Sequence, residues 1–291
     1  MGRARTAFKY LLIAAVAAFV CYVGYAQLKP ANDLEVYFLD VGQGDSAFVK
    51  TPAGSYILID GGNEGRGKGA VEPFLKRRFI SKVDDMVLSH YHDDHGKGLL
   101  EVMDSVGAEK LSMPDIPAEL RPRLHDSLRD KAVQKNVFVR YLQRGDEFDT
   151  GDAEVTADVL FPSAELLNAN DEQNNNSIVL KFTYYDVSFL FTGDIEAKAE
   201  KALLQDGRLK STVIKAPHHG SKTSSSQVFL DNVRPEYATF SAGYNNSYKH
   251  PHTEVLDRYA KMGVKTYRTD LDGVIKFIAG KYGIKKVEVT R

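Results

Sequence analysis

Residues 89–96 read Ser89-His90-Tyr91-His92-Asp93-Asp94-His95-Gly96, which places three imidazoles and two carboxylates within six residues. Imidazole nitrogen and carboxylate oxygen are the usual protein ligands for Zn²⁺ and neighbouring divalent ions. In an extended chain His90 and His92 face the same side, so both reach one ion. A turn into helix at Asp94 sends that carboxylate and His95 elsewhere, toward a second ion. The competing reading is a polar loop that happens to hold histidines. Three at this spacing beside the Asp arise by chance on the order of once in ten thousand such chains, which favours metal binding.

Seven of the eight histidines fall into three clusters, at 90/92/95, 218/219 and 250/252. Each follows a predicted strand or lies in a loop with glycine or proline, and such loops are where sites assemble in layered α/β folds. Asp60 and Asp194 also end apolar strands next to glycine. A carboxylate at such a point can bridge two ions.

The elements that must carry these residues follow from the apolar pattern. Residues 34–60 form a meander of short strands broken by glycine turns, residues 71–80 a helix with Pro73 near its start, and residues 83–88 the strand leading to His90. Residues 98–103 read as helix, 110–113 as strand and 117–134 as a charged helix carrying His125. Strand pattern returns at 136–142 and 153–160. The polar loop 169–176 precedes a hairpin, 177–184 with 187–191, that ends at Asp194. A helix at 197–204, a strand at 211–215, further strand–helix units and a closing hairpin at 274–278 and 285–289 complete the chain. Two similar halves of this kind suggest two sheets packed face to face with helices outside.

The chain of 291 residues is long enough for one large domain or two small ones. Its formal net charge of −1 excludes a global basic field for nucleic acid, so a polyanion must be held by local groups or by metal. Arg3, Arg5 and Lys9 precede an uncharged apolar run at residues 10–26. As a helix that run is about 25 Å long, against a bilayer core of about 30 Å. Residues 1–29 therefore read as a signal peptide, cleaved after Gly24-Tyr25-Ala26, or as an uncleaved single-span membrane anchor. Either way the basic flank puts the domain at 33–291 outside the cytoplasm. Cys21, the single cysteine, lies in this segment, which leaves the exported domain without disulfides or thiolate ligands.

The Ser-His-Tyr-His-Asp-Asp-His run resembles the His-x-His-x-Asp-His signature of the metallo-β-lactamase superfamily. Leu58-Ile59-Asp60-Gly61-Gly62 resembles its first motif, and Leu190-Phe191-Thr192-Gly193-Asp194 the motif of its bridging aspartate. Several further stretches resemble the ComEC-like competence branch: Asp40-Val41-Gly42-Gln43-Gly44-Asp45, Asn175-Asn176-Ser177, Lys215-Ala216-Pro217-His218-His219-Gly220-Ser221, His250-Pro251-His252 and Tyr267-Arg268-Thr269-Asp270. These motifs run in order through nearly all of the domain. The resemblance implies the α/β (α+β) class, a four-layer αββα sandwich with a two-metal site at one edge.

Carried over residue by residue, the resemblance implies His90 and His92 as ligands of a first ion and Asp94 and His95 of a second. Asp194 is the implied bridge, with His218 or His219 completing the second ion. Asp60 is expected behind the ligands, orienting a histidine. Asp40, Gln43 and Asp45 are expected to shape the floor of the site, and Ser221 to sit behind the ligands or at the substrate. Many members of the superfamily carry a third histidine for the first ion, where this chain has Asn174-Asn175-Asn176. An amide oxygen of Asn175 or Asn176 stands in for it, or the asparagines only cap a turn. A harder oxygen donor brings Mn²⁺ in beside Zn²⁺ as the cofactor. His125 is expected on a charged helix face. His250 and His252 are expected to contact a substrate phosphate or protonate a leaving group. Arg66, Lys68, Lys76, Arg77 and Arg78 read as a solvated face, or as a track for phosphates.

The function expected is that of an exported hydrolase with two divalent ions, Zn or Mn, and a water nucleophile activated between them. DNA is the leading substrate, as for a nuclease. The alternatives are a cell-envelope ester or small phosphodiester, as in phosphorylcholine esterases, and a metal-stabilised binding module. A role in competence and DNA uptake would need a membrane channel partner.

Overall fold

The computed structural model describes Tyr10 and residues 12–20, 33–163 and 173–291. Residues 12–20 are helical and exposed, and no helix among the described residues is long and apolar enough to cross a membrane. The expected cleavage site and Cys21 lie outside the described residues.

Among the described residues, fourteen strands follow in chain order. They are β1 (Leu34–Phe38), β2 (Ala47–Lys50), β3 (Tyr56–Ile59), β4 (Val83–Val87), β5 (Ala108–Pro114), β6 (Phe138–Leu142), β7 (Val155–Phe161), β8 (Val179–Tyr184), β9 (Val187–Phe191), β10 (Val213–Lys215), β11 (Tyr237–Phe240), β12 (Lys265–Arg268), β13 (Ile275–Gly280) and β14 (Gly283–Val289). The principal helices are α1 (Asp93–Ser105), α2 (Arg123–Gln134), α3 (Ala197–Leu203), α4 (Gln227–Val233) and α5 (Thr253–Lys261). One sheet runs β14-β13-β1-β2-β3-β4-β5-β6 and the other β12-β11-β10-β9-β8-β7.

Strand alternation builds the layers. In β3, Ile57 and Ile59 face the other sheet while Leu58 faces the helices; in β9, Phe189 and Phe191 face inward and Leu190 outward. A period of two sends successive side chains to opposite faces, so each central strand feeds two cores. Three cores result. The middle one joins the sheets through residues such as Phe38, Ile57, Phe182, Phe189 and Phe277. One outer core packs Leu58, Met86 and Leu111 under Leu99, Val102 and Leu128 of α1 and α2. The other packs Leu190, Ile214 and Phe240 under Leu203, Phe229, Leu230 and Tyr259 of α3, α4 and α5. The order helix, sheet, sheet, helix is the four-layer αββα sandwich expected.

Details differ from the sequence reading in two places. The helix expected over 71–80 is a π-helical turn, Gly67–Val71, running into α-helix at Glu72–Lys76. The expected helix over 117–134 breaks into a 3₁₀ turn, Ala118–Leu120, and α2, because Pro122 cannot donate within a continuous helix.

Strand direction positions the site. β3 and β4 are parallel, as are β9, β10 and β11. Asp60, His90, Asp194, His218 and the loop 241–252 all follow the carboxyl ends of these strands. Six stretches far apart in sequence thereby converge on one edge, including the β1–β2 turn that carries Asp45.

Candidate metal centre

The histidine stretch is set by its capping geometry. His92 is extended (φ −90°, ψ 151°) and caps α1, so helix begins at Asp93. Asp93 and Asp94 in the first turn suit the positive end of the helix dipole. His90 and His92, on the extended side, converge as expected: Nε2 of His90 lies 3.0 Å from Nδ1 of His92. The turn is clamped by backbone contact. Gly61 N–H donates to the His95 carbonyl at 2.8 Å, and Gly98 N–H to that of Gly62 at 2.9 Å. A Cβ on Gly61 would collide with the backbone of Gly98 and Leu99, so this approach requires glycine.

Asp60 is buried and spends both oxygens behind the site. Oδ1 accepts from Ser89 N–H at 2.7 Å; Oδ2 accepts from Ser89 Oγ at 2.7 Å and from His95 Nδ1 at 2.9 Å. The proton this places on Nδ1 leaves His95 Nε2 facing Asp194. His219 is arranged alike, with Nδ1 donating to the Ser241 carbonyl at 2.8 Å. Oδ2 of Asp194 lies 3.3 Å from His95 Nε2, 3.2 Å from His219 Nε2 and 3.9 Å from His218 Nε2. Oδ2 of Asp94 lies 3.4 Å from His219 Nε2.

These donors fit divalent cations. The sets His90/His95/Asp194 and Asp94/His95/His219 each offer ligand atoms within 4.8 Å of one another. Donors about 2.1 Å from a shared tetrahedral cation lie about 3.4 Å apart, close to the separations seen. Nε2 of both His95 and His219 is buried without a hydrogen-bond partner among the described residues, although carboxylates are near. Buried polar nitrogens normally have partners, so orphaned ones facing carboxylate oxygens point to a ligand between them.

The charges are strongly coupled. Burial alone would lower His95 and His219, but the surrounding carboxylates, Asp194 foremost, hold both well above the usual histidine range. Burial pushes His90 well below it and lowers His92 and His218. Burial would raise Asp194; His219, His95 and Lys215 hold it well below the carboxylate range instead, and His95 and His219 do the same for Asp94. On each facing Nε2, a bound cation would take the place of a proton.

His218 and His219 are separated by their backbone. Both adopt left-handed conformations (φ 50° and 54°), which cost L-residues energy and turn adjacent imidazoles into one site. His219 is buried against Asp94, Asp194 and Asp45. His218 is partly exposed, and its Nδ1 lies 3.2 Å from Glu196 Oε1, which also accepts from Thr223 at 2.9 Å. The asparagines divide too. Asn175 Oδ1 accepts from Glu196 N–H at 3.0 Å and Ala199 N–H at 3.4 Å, at the start of α3. Asn176 Oδ1 is buried with no hydrogen-bond partner among the described residues.

The remaining expected residues lie around this centre. Asp45 is buried, 3.2 Å from His219 Nδ1. Gln43 Oε1 accepts from Gly243 N–H at 3.2 Å. Asp40 accepts from Gly42 N–H and pairs with Arg291 at 2.6 Å, so it shapes the turn. Ser221 Oγ meets Thr223 Oγ1 at 3.0 Å and closes the turn after the histidine pair. The His250 ring lies 5.6 Å from that of His218, and His252 Nδ1 accepts from Lys222 N–H at 3.2 Å. Burial and the neighbouring imidazoles lower His250 to about 4. His125 is not on a charged face: it is buried between helix and sheet, its Nε2 2.9 Å from the Tyr141 hydroxyl.

Two groups escaped the sequence reading. Lys215 is buried, with its ammonium on Asp45, 3.0 Å from the Gly193 carbonyl and 3.4 Å from Asp194 Oδ1. Its signal was available: a charged residue ending an apolar strand, as at Asp60 and Asp194. Glu196 had no such signal.

A family model described as the metallo-beta-lactamase superfamily matches residues 39–244. Competence protein ComA of Neisseria gonorrhoeae is 35% identical over 272 residues, covering 93% of this chain and 36% of that protein. ComE operon protein 3 of Bacillus subtilis (strain 168) is 30% identical over 265 residues, covering 85% of this chain and 33% of that protein. The chain thus spans about a third of the length of these curated relatives. Among solved structures, Igni18, a metallo hydrolase from the archaeon Ignicoccus hospitalis, shares the fold with a TM-score of 0.52 at 16% identity. The match covers 84% of this chain and 98% of that one.

Proposed function

The chain belongs to the metallo-beta-lactamase superfamily, and from that premise we propose that it is a metal-dependent phosphodiesterase acting on DNA outside the cytoplasm. The observation that carries the reading is the approach of one oxygen, Asp194 Oδ2, to the orphaned Nε2 atoms of His95 and His219. The phosphodiester part of the reading draws on the likeness to competence proteins over most of this chain.

In this proposal His90, His92 and Asp194 would hold a first divalent ion, and Asp94, His95 and His219, with Asp194, a second, Zn or Mn. Cations held there supply Lewis-acid polarisation of a phosphoryl oxygen and a water nucleophile acidified toward neutral pH. Asp60 and the Ser241 carbonyl fix the tautomers of His95 and His219, so neither ring turns when substrate enters. For the first ion's further donor, Asn176 Oδ1 and His218 Nε2 are the two candidates. Glu196 orients His218, and the free carboxamide oxygen favours Asn176; Asn175 is occupied as a cap. His250 and His252 border the site on the substrate side, where an imidazole can donate to a phosphate oxygen or a leaving group.

The test is to incubate the purified protein with single- and double-stranded DNA and with small phosphodiesters, adding Mn²⁺ or Zn²⁺. Metal-dependent DNA cleavage that Asp94→Ala abolishes supports the reading. Undiminished cleavage by that variant overturns it, and turnover of small phosphodiesters alone moves the substrate to the envelope-ester class.

A further inference from the structure

Beside the metal centre, the loop 243–250 carries aromatic side chains that no fold requirement explains. It is a rigidly held loop. Asn246 Nδ2 donates to the carbonyls of Gly243 (2.9 Å) and His250 (2.6 Å), and Asn246 Oδ1 accepts from His250 N–H at 3.0 Å. Gly243 abuts the Gln43 backbone so closely that a Cβ would lie 2.8 Å from Gln43 N. On this pinned loop Tyr244 is 77% and Tyr248 63% exposed. Two large rings held in water by a closed hydrogen-bond network bury little apolar area in the free protein, so packing does not account for them.

The rings lead to the chemistry. Tyr248 stacks on His250 (centroids 5.6 Å apart, 21° between planes), and His250 lies 5.6 Å from His218. Cations accompany them. Arg66 lays its guanidinium over Gly42, on the turn whose Gln43 supports the loop; Lys249 directly precedes His250, and Lys222 donates its backbone N–H to His252 Nδ1 at 3.2 Å. All three are exposed, and none has a carboxylate partner among the described residues, whereas many other basic side chains form ion pairs. Unpaired cations beside an acidic metal centre suit phosphates, and exposed tyrosine faces suit unpaired bases. A duplex keeps its base faces stacked and has none to offer a side chain.

We infer that Tyr244 and Tyr248 form a base-stacking rim that receives unpaired nucleobases of a single strand next to the scissile phosphodiester, with Arg66, Lys222 and Lys249 on its phosphates. The inference rests on the phosphodiesterase reading for its choice of substrate, and it adds strand preference and a binding subsite. Stacking on an aromatic side chain is worth about 1–3 kcal/mol per base, so removing both rings should weaken binding by about thirtyfold or more.

The experiment uses the full chain in EDTA and reads fluorescence anisotropy of a labelled oligothymidine and of an abasic strand of equal length. Tighter binding of oligothymidine than of the abasic strand is expected. The double variant Tyr244→Ala/Tyr248→Ala should lose about thirtyfold or more for oligothymidine and nothing for the abasic strand, with an unchanged circular-dichroism melt; Tyr248→Phe should retain affinity. Equal binding of the two strands, no binding of either, or indifference to the double variant overturns the inference. Because turnover is not read, base-dependent binding by a protein that cleaves nothing would count against the nuclease reading alone.

Discussion

Lys215 Nζ lies 3.4 Å from Oδ1 of Asp194, which leaves Oδ2 as the oxygen that meets His95 and His219. The same ammonium sits on Asp45, and both carboxylates are buried. Lys215 thus acts as a fixed internal cation that keeps the site's carboxylates together and leaves one oxygen of Asp194 to face the two imidazoles.

Replacing Lys215 with methionine keeps the volume and removes the charge. Breaking a buried pair by removing one partner costs about 3–5 kcal/mol, because the other charge stays behind unpaired. Lys215→Met should therefore melt well below the unsubstituted protein in EDTA, with part of the loss recovered on adding Mn²⁺ or Zn²⁺. Equal melting temperatures in EDTA would remove this role.

Asp60→Asn should loosen the metal without unfolding the chain. The amide cannot hold the His95 Nδ1 proton as a carboxylate does, and such outer partners typically carry 10–100-fold in metal affinity. Isothermal titration with Zn²⁺ or Mn²⁺ measures it; unchanged affinity would show that His95 needs no orienting partner.

Asn175 and Asn176 should behave oppositely. Losing the Asn175 cap at the start of α3 should cost about 1 kcal/mol of stability and leave the ion count unchanged. Asn176→Ala should lower the occupancy of one ion with little change in melting. Elemental analysis beside thermal melts separates them, and a loss of metal in Asn175→Ala alone would reverse the assignment.

Glu35 gives the fold a pH dependence far from the metal. Burial alone would raise its carboxyl, but Lys276 at 2.7 Å, Tyr37 and Lys50 at 3.2 Å hold it down to about 2, from an ordinary 4.5. Its contribution is fully present above about pH 4.5 and is lost as pH falls toward 2. Allowing for solvent screening of this half-buried group, that contribution is about 1–2 kcal/mol. Glu35→Gln should melt lower than the unsubstituted protein at pH 7, and the gap should close toward pH 2. A gap independent of pH would assign the loss to packing.

Local order decided what was legible beforehand. The stretch His90 to His95 is compact in sequence, so its ligand pattern and the extended-to-helical switch at His92 follow from neighbouring residues alone. Asp60 and Asp194 were visible because apolar strands stop at them, and the apolar alternation in the strands was enough for two sheets with helices outside. His125 misled because the surrounding helix is charged overall; the ring is buried on the face turned to Tyr141.

What the chain alone determines, then, is the set of donors and the layers that carry them, since both depend on residue type and short-range period. Tertiary structure decided which donors meet. Left-handed backbone at His218 and His219 gives two adjacent imidazoles different neighbours. The start of α3 engages Asn175 and leaves Asn176 free. Lys215 reaches Asp45 and His250 reaches His218 only because six distant stretches end on one edge of the sandwich. Those contacts span up to about 170 residues, and no local pattern encodes a distance of that kind.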